Sequence, residues 1–207
     1  MSAIHKLLLL ALASAMLGGA QGGKPLVANK IQRSYMIHAD GTMALSKEEF
    51  GTYARSAEGT AIHLGVAENG TTRRTESFIQ STKDGLSYAI NHTNQTYKTS
   101  PWDRSGPSLE NVPATGESQI INGVRCFAIP IKDHETQAVI GKSWVSPDLG
   151  VVVKSDATLL LRGEPVMRVT EELTNIQTDV TPDLRAFILP TGYKNVGRVV
   201  DCPNCRK

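Results

Sequence analysis

The sequence predicts a mainly β protein built from antiparallel strands, and three observations carry that reading. Turn dipeptides recur between short strand-forming pieces, the apolar residues are chiefly Val, Ile, Leu and Ala, and no helical segments alternate with the strands as a parallel sheet would require. Hydrophobic residues make up 40% of the 207 and aromatics only 5%, a composition of a packed sheet protein rather than a disordered chain.

Residues 1–20 have the order of a secretory signal peptide: Lys6, the apolar run Leu7–Leu17, then Gly18-Gly19-Ala20. Cleavage is expected after Ala20. The run holds 11 residues, fewer than the about 18 that span a bilayer, so a removed leader and a periplasmic or secreted destination are expected, with no membrane span left. Cleavage takes away Lys6 and no acid, so the net charge falls from +2 to +1. Such a balance does not favour nucleic acid or an anionic membrane surface. The remaining residues suffice for one domain, read as a flexible lead-in over 21–29, a β domain over 30–198 and a tail over 199–207.

Within the domain, Tyr35, Ile37 and Ala39 alternate with Ser34, Met36 and His38, and Asp40-Gly41 turns the chain into a hairpin. Ser46–Ala57 carries a capping box, Ser46 with Glu49, and helical spacing of Phe50, Tyr53, Ala54 and Ala57. Gly51, Thr52 and the Glu58-Gly59 turn weigh for a strand instead. Thr71–Gln80 reads as a polar strand, and its basic pair Arg73-Arg74 as a solvated face. Asp84-Gly85 then turns into Leu86–Ile90, and His92–Gln95 forms the tip before Thr96–Thr99. Pro101, Pro107 and Pro113 with Gly106 and Gly116 mark 100–118 as a long surface loop.

Ile120-Ile121, Asn122-Gly123 and Val124–Ile129 predict a two-residue hairpin. Lys142–Ser146 is a strand, Pro147-Asp148-Leu149-Gly150 a tight turn, and Val151–Val153 opens the next strand. Thr158–Arg162, a Gly163-Glu164-Pro165 turn and Val166–Ile176 form a further hairpin with Met167, Val169 and Leu173 on one face.

Several of these pieces, Asn122-Gly123-Val124, Trp144-Val145-Ser146-Pro147-Asp148-Leu149-Gly150, Leu173-Thr174-Asn175-Ile176 and Pro182-Asp183 followed by Phe187-Ile188-Leu189-Pro190 and Tyr193, resemble a family of uncharacterised exported bacterial proteins. The correspondence is close over about 75 residues and looser over about 60 more, through Asp40-Gly41-Thr42 and Tyr53–Gly59. The closing pattern is also similar to the ends of the LolA-like lipoprotein-carrier superfamily. The resemblance implies a single curved antiparallel sheet, a LolA-like half-barrel with few short helices and an apolar concave face. Members of that superfamily bind acyl chains or act as periplasmic sensors. No amphipathic helix able to serve as a lid is evident in this chain, and no ligand residue follows from the motif.

No catalytic motif is present. His134-Glu135 opens a zinc-protease pattern, but Ala138 stands where the second His is needed. His38, His63 and His92 are each alone in strand or turn contexts, which favours surface or satisfied histidines. Gly141-Lys142-Ser143-Trp144-Val145 lacks the last Gly of a nucleophile elbow. Trp144, Phe187 and Tyr193 are expected to plug the sheet core, and Asp148 and Asp183, each after a Pro, to be turn or capping residues. Cys202-Pro203-Asn204-Cys205 is the sharpest local feature: two thiols at this spacing close a small disulfide, exchange disulfides or give half a zinc site. With only Arg206 and Lys207 after it, no helix is available to activate the first thiol. A local disulfide is expected, and Cys126, on a predicted strand, as a buried free thiol. Asn69, Asn91 and Asn94 fit the glycosylation pattern, which carries no meaning if the signal peptide is bacterial.

Three functions fit this reading: a non-enzymatic, cofactor-free exported module that binds or carries an apolar, lipid-like ligand; a thiol-disulfide or metal-handling protein working through Cys202 and Cys205; and an envelope protein-interaction module using a sheet edge.

Overall fold

The structure, a computed structural model, describes residues 24–102, 116–133 and 136–198. Twelve strands form one sheet: β1 Leu26–Ile37, β2 Met43–Ser56, β3 Gly59–Glu68, β4 Thr71–Ser81, β5 Leu86–Asn91, β6 Thr96–Pro101, β7 Ser118–Ile121, β8 Val124–Lys132, β9 Val139–Ser146, β10 Val151–Leu161, β11 Glu164–Thr178 and β12 Lys194–Arg198. Their order across the sheet is β12-β6-β5-β4-β3-β2-β1-β11-β10-β9-β8-β7. Two meanders, β1–β6 and β7–β11, therefore meet where β1 pairs with β11. Every pairing is antiparallel except β12 with β6. Among the described residues a single 3-10 turn, Leu184–Phe187, interrupts the strands, capped by Asp183, whose carboxylate accepts from the Arg185 N–H. Among the described residues no helix is long and apolar enough to cross a membrane.

The hairpins form where the turn residues require them. Asn122 and Gly123 both have positive φ, 50° and 79°, the conformation that joins β7 to β8 with matching twist. Ser46–Ser56 lies in β2, so the helical spacing of its apolar residues yields to cross-strand pairing on both sides. Several boundaries differ from the sequence reading. β1 begins at Leu26, inside the stretch read as a flexible lead-in, because Leu26 is fully buried in the main core cluster and pairs with Arg55. Residues 151–161 are one strand, and the turn after it is Arg162-Gly163 (φ 55° and 87°), with Pro165 already in β11. β3, the most buried strand, has no counterpart in that reading. Residues 1–20, most of the Pro-rich loop, His134, Glu135 and the tail with Cys202 and Cys205 lie outside the described residues.

Alternation along the central strands separates two faces. The inner face carries Leu26, Ala28, Tyr53, Ile62, Leu64, Phe78, Val153 and Leu173 in one cluster, with Met167, Val169, Ala157 and Leu159 in a second. It is not uniformly apolar as expected. Lys30 bonds Glu171 at 2.9 Å with both side chains buried, and Glu49, 1% exposed, accepts from Lys47 at 2.8 Å and Thr75 at 3.0 Å. Lys30, Glu171 and Glu49 thus each have an opposite charge, without which burial would be prohibitive.

Arg55 ties distant strands together. Its guanidinium, buried on the inner face, donates to the carbonyls of Lys24, Leu149 and Gly150, joining β2 to the chain entering β1 and to the β9–β10 turn. Replacing it takes the donor from the buried Gly150 carbonyl and from the part-buried Leu149 and Lys24 carbonyls, an unsatisfied buried group costing about 1–3 kcal/mol. Arg55→Met should therefore lower stability by about 3 kcal/mol in urea unfolding; a loss under about 1 kcal/mol would show that the clamp contributes little.

Candidate functional site

The outer face is organised in straight cross-strand rows. One row runs Thr174, Asn29, Thr52, His63, Ser77, Ile90 and Tyr97 from β11 to β6. The next runs Ile31, Phe50, Gly65 and Arg74. Arg74 joins this row because the β3–β4 register shifts between Leu64 and Gly65. The extra residue, Thr75, turns its hydroxyl toward Glu49, and the bulge aims Arg74 to the face it would otherwise miss. Gly51 allows β2 and β3 to close beside His63: a Cβ there would stand 1.7 Å from the His63 carbonyl oxygen.

His63 and His92 are not isolated, contrary to the sequence reading. Ser77 joins them, with its Oγ 2.7 Å from His63 Nδ1 and 2.7 Å from His92 Nε2, and His92 Nδ1 lies 2.9 Å from the Tyr193 hydroxyl. His92 and Tyr193 also meet edge to face. Burial, then Arg74, then His92 depress the His63 pKa to about 4 against the pull of the Ala186 carbonyl, and burial and Arg74 lower that of His92. Both rings are neutral at pH 7. Ser77 is fully buried and its hydroxyl faces both rings, so it relays hydrogen bonds rather than presenting a nucleophile to solvent. His63 Nε2 is enclosed without a partner at hydrogen-bonding geometry.

Two cavities adjoin at His63 and Arg74. The larger, about 430 Å³, is bordered by Asn29, Ile31, Phe50, Thr52, Thr72 and Thr174. The smaller, about 300 Å³, lies between Ile79 and Ile90 on the sheet and the segment Ile188–Thr191. That segment is held by packing of Ala186, Phe187, Leu189 and Tyr193 on Ala61, Ile79 and Ile90. Both volumes fall in the range of about 300–1,000 Å³ typical of small-molecule sites. Arg74 is exposed and, among the described residues, makes no hydrogen bond or ion pair. Its neighbour Arg73 is paired with Glu68 at 2.5 Å, so the basic pair is a solvated ion pair on one side and a groove cation on the other.

The remaining sequence expectations distribute elsewhere. His38 is exposed at the β1–β2 turn. Trp144 sits in β9 rather than in a turn, half-buried, with the Lys154 ammonium 5.8 Å from its ring centre. Phe187 and Tyr193 pack as expected, on the outer face. Cys126 is a free, buried thiol whose pKa burial raises to about 11. Among the described residues, no group of three His, Cys, Asp or Glu converges as a metal site.

Fold and site together define an all-β, single-sheet protein with a two-part groove on one face. No protein-family model matches the chain, and no curated protein sequence matches it. Among solved structures it is similar to an uncharacterized conserved protein from Thermus thermophilus, at 8% identity and a TM-score of 0.48 over 95% of this chain and 100% of that one. It is also similar to MucB, at 11% identity and 0.44 over 88% and 64%, and to a LolA superfamily protein from Nitrosomonas europaea, at 8% identity and 0.35 over 86% and 96%.

An unfolded histidine titrates near 6.5, so between pH 6.5 and about 4 the unfolded chain binds more protons than the folded one. The stability from neutral His63 is complete above 6.5 and is lost as pH falls toward 4; His92 acts with the same sign. Urea midpoints measured from pH 7 to 4 should therefore fall, and His63→Gln should fall less steeply. Identical slopes for the two proteins would remove His63 as the source.

Proposed function

We propose that this is a non-enzymatic, exported binding or carrier module for an apolar, lipid-like ligand held in the outer-face groove. The observation that carries the reading is the smaller cavity, whose apolar wall is Ile79 and Ile90 on the sheet and Ile188 and Leu189 on the crossing segment, beside His63, Arg74, Ser77, His92 and Arg185. Apolar surface facing a cavity of this size gains roughly 25 cal/mol per Å² when a hydrocarbon replaces water. The enclosed Ser77 and the two neutral, hydrogen-bonded histidines support binding over catalysis. An exported address is supported by the leader-like residues 1–20. Two bridges support a sheet that bends toward its inner face. Arg55 reaches the β9–β10 turn, and Asn122 donates to the Leu173 carbonyl at 2.8 Å although β8 and β11 are three places apart in the sheet, about 14 Å if it were flat.

Ile188 is 61% exposed, so changing it leaves the sheet intact. A neutral naphthylamine dye should bind the wild-type chain saturably, and Ile188→Asp should weaken it by about tenfold or more, the worth of one apolar side chain. Absence of saturable binding by the wild type, with no lipid extracted from the purified protein, would sink the reading.

A further inference from the structure

We infer that the junction of the two cavities is an oxyanion site, in which Arg74 and His63 Nε2 hold the carboxylate or phosphate head of an amphiphile whose chain lies between Ile79, Ile90 and Leu189. The inference rests on the apolar-ligand reading and adds the chemistry of the head. Three independent features point to it. Arg74 is a cation without a carboxylate partner among the described residues, placed on this face by the bulge at Thr75. His63 is 7% exposed and lines both cavities, and its Nε2, on the side of the Ala186 carbonyl, makes no bond at hydrogen-bonding geometry. Apolar walls also adjoin the junction on both sides, Ile79, Ile90 and Leu189 on one and Ile31 and Phe50 on the other, among the polar Ser77, His92, Arg185, Asn29, Thr52 and Thr174.

The hydrogen-bond chain sets the polarity of the free nitrogen. A phenol is a better donor than acceptor, so Tyr193 donates to His92 Nδ1. His92 Nε2–H then donates to Ser77 Oγ, and the Ser77 hydroxyl to His63 Nδ1. The last free position, His63 Nε2, is left carrying a proton. A neutral N–H donor beside a guanidinium suits an oxygen acceptor with negative charge, as charge-assisted hydrogen bonds do. A cationic or purely hydrocarbon ligand would leave Arg74 opposed or unused.

Calorimetric titration of the full chain with dodecyl phosphate, dodecanoate, dodecanol and inorganic phosphate, all below micelle concentrations, tests the assignment. Dodecyl phosphate or dodecanoate should bind at least tenfold tighter than dodecanol, the effect of one charge-assisted contact. Arg74→Gln should erase that gap, the two anions falling to the affinity that dodecanol shows for the same variant. Whichever of the two anions gains more tells a phosphate head from a fatty-acid head, and either gain supports the site. Nitrogen NMR should place the neutral His63 proton on Nε2 and shift that signal on dodecyl phosphate binding. Equal affinities for anion and alcohol, or a gap that survives Arg74→Gln, overturn the oxyanion site and leave the apolar-ligand reading standing. No binding of any dodecyl compound overturns both. Inorganic phosphate binding as tightly as dodecyl phosphate, and lost in Arg74→Gln, overturns the amphiphile in favour of a free ion.

Discussion

The clamp of Arg55 on three backbone carbonyls is the constraint on which the rest of the sheet depends. Strand ladders fix neighbours, but they do not fix how strands three places apart approach each other. A guanidinium does so here because its planar fork offers several donors at once. By holding the chain before β1 and the β9–β10 turn to β2, it sets the distance across the inner face. The apolar residues Leu26, Ala28, Val151 and Val153 then pack in one cluster. The charge itself stays tolerable because it ends on carbonyl oxygens rather than in hydrocarbon.

The inner face joins these contacts to a second set of buried polar groups. Lys30 with Glu171 spans β1 and β11, the seam between the two meanders. Glu49 gathers Lys47 and Thr75 from β2 and β4. A slip of one residue in either ladder would carry all these charges to the other face and strand their partners. The ion pairs therefore select the register, even where an apolar pair of equal volume would match them in stability. Register in turn lines up the outer-face rows, so the inner charges position His63, Ser77 and Arg74 without touching them.

Much of the hairpin architecture is legible in the sequence because it is written locally. Asn122-Gly123 and Asp40-Gly41 announce their turns, and Met167, Val169 and Leu173 show their buried face by alternation. What escapes is set by partners far along the chain. β3 is covered on its inner face by the main cluster and on its outer face by the segment around Ala186–Leu189, so its buried run Thr60–Leu64 does not alternate, and a run without alternation is ambiguous by periodicity alone. His63 and His92 look solitary in one dimension; only the β3–β4–β5 register and one serine bring them together. Arg74 looks like its neighbour Arg73 until a single unpaired residue, Thr75, turns it over.

The crossing segment 184–193 is anchored at both ends, by β11 before it and by the parallel β12–β6 ladder after it, yet between them it adds no strand to the sheet. It rests on the outer face through side-chain packing and the His92–Tyr193 bond. Side chains alone therefore hold the strap over Ala61, Ile79 and Ile90, so the shape of the smaller cavity is set by packing and not by the hydrogen-bonded ladders that fix the scaffold.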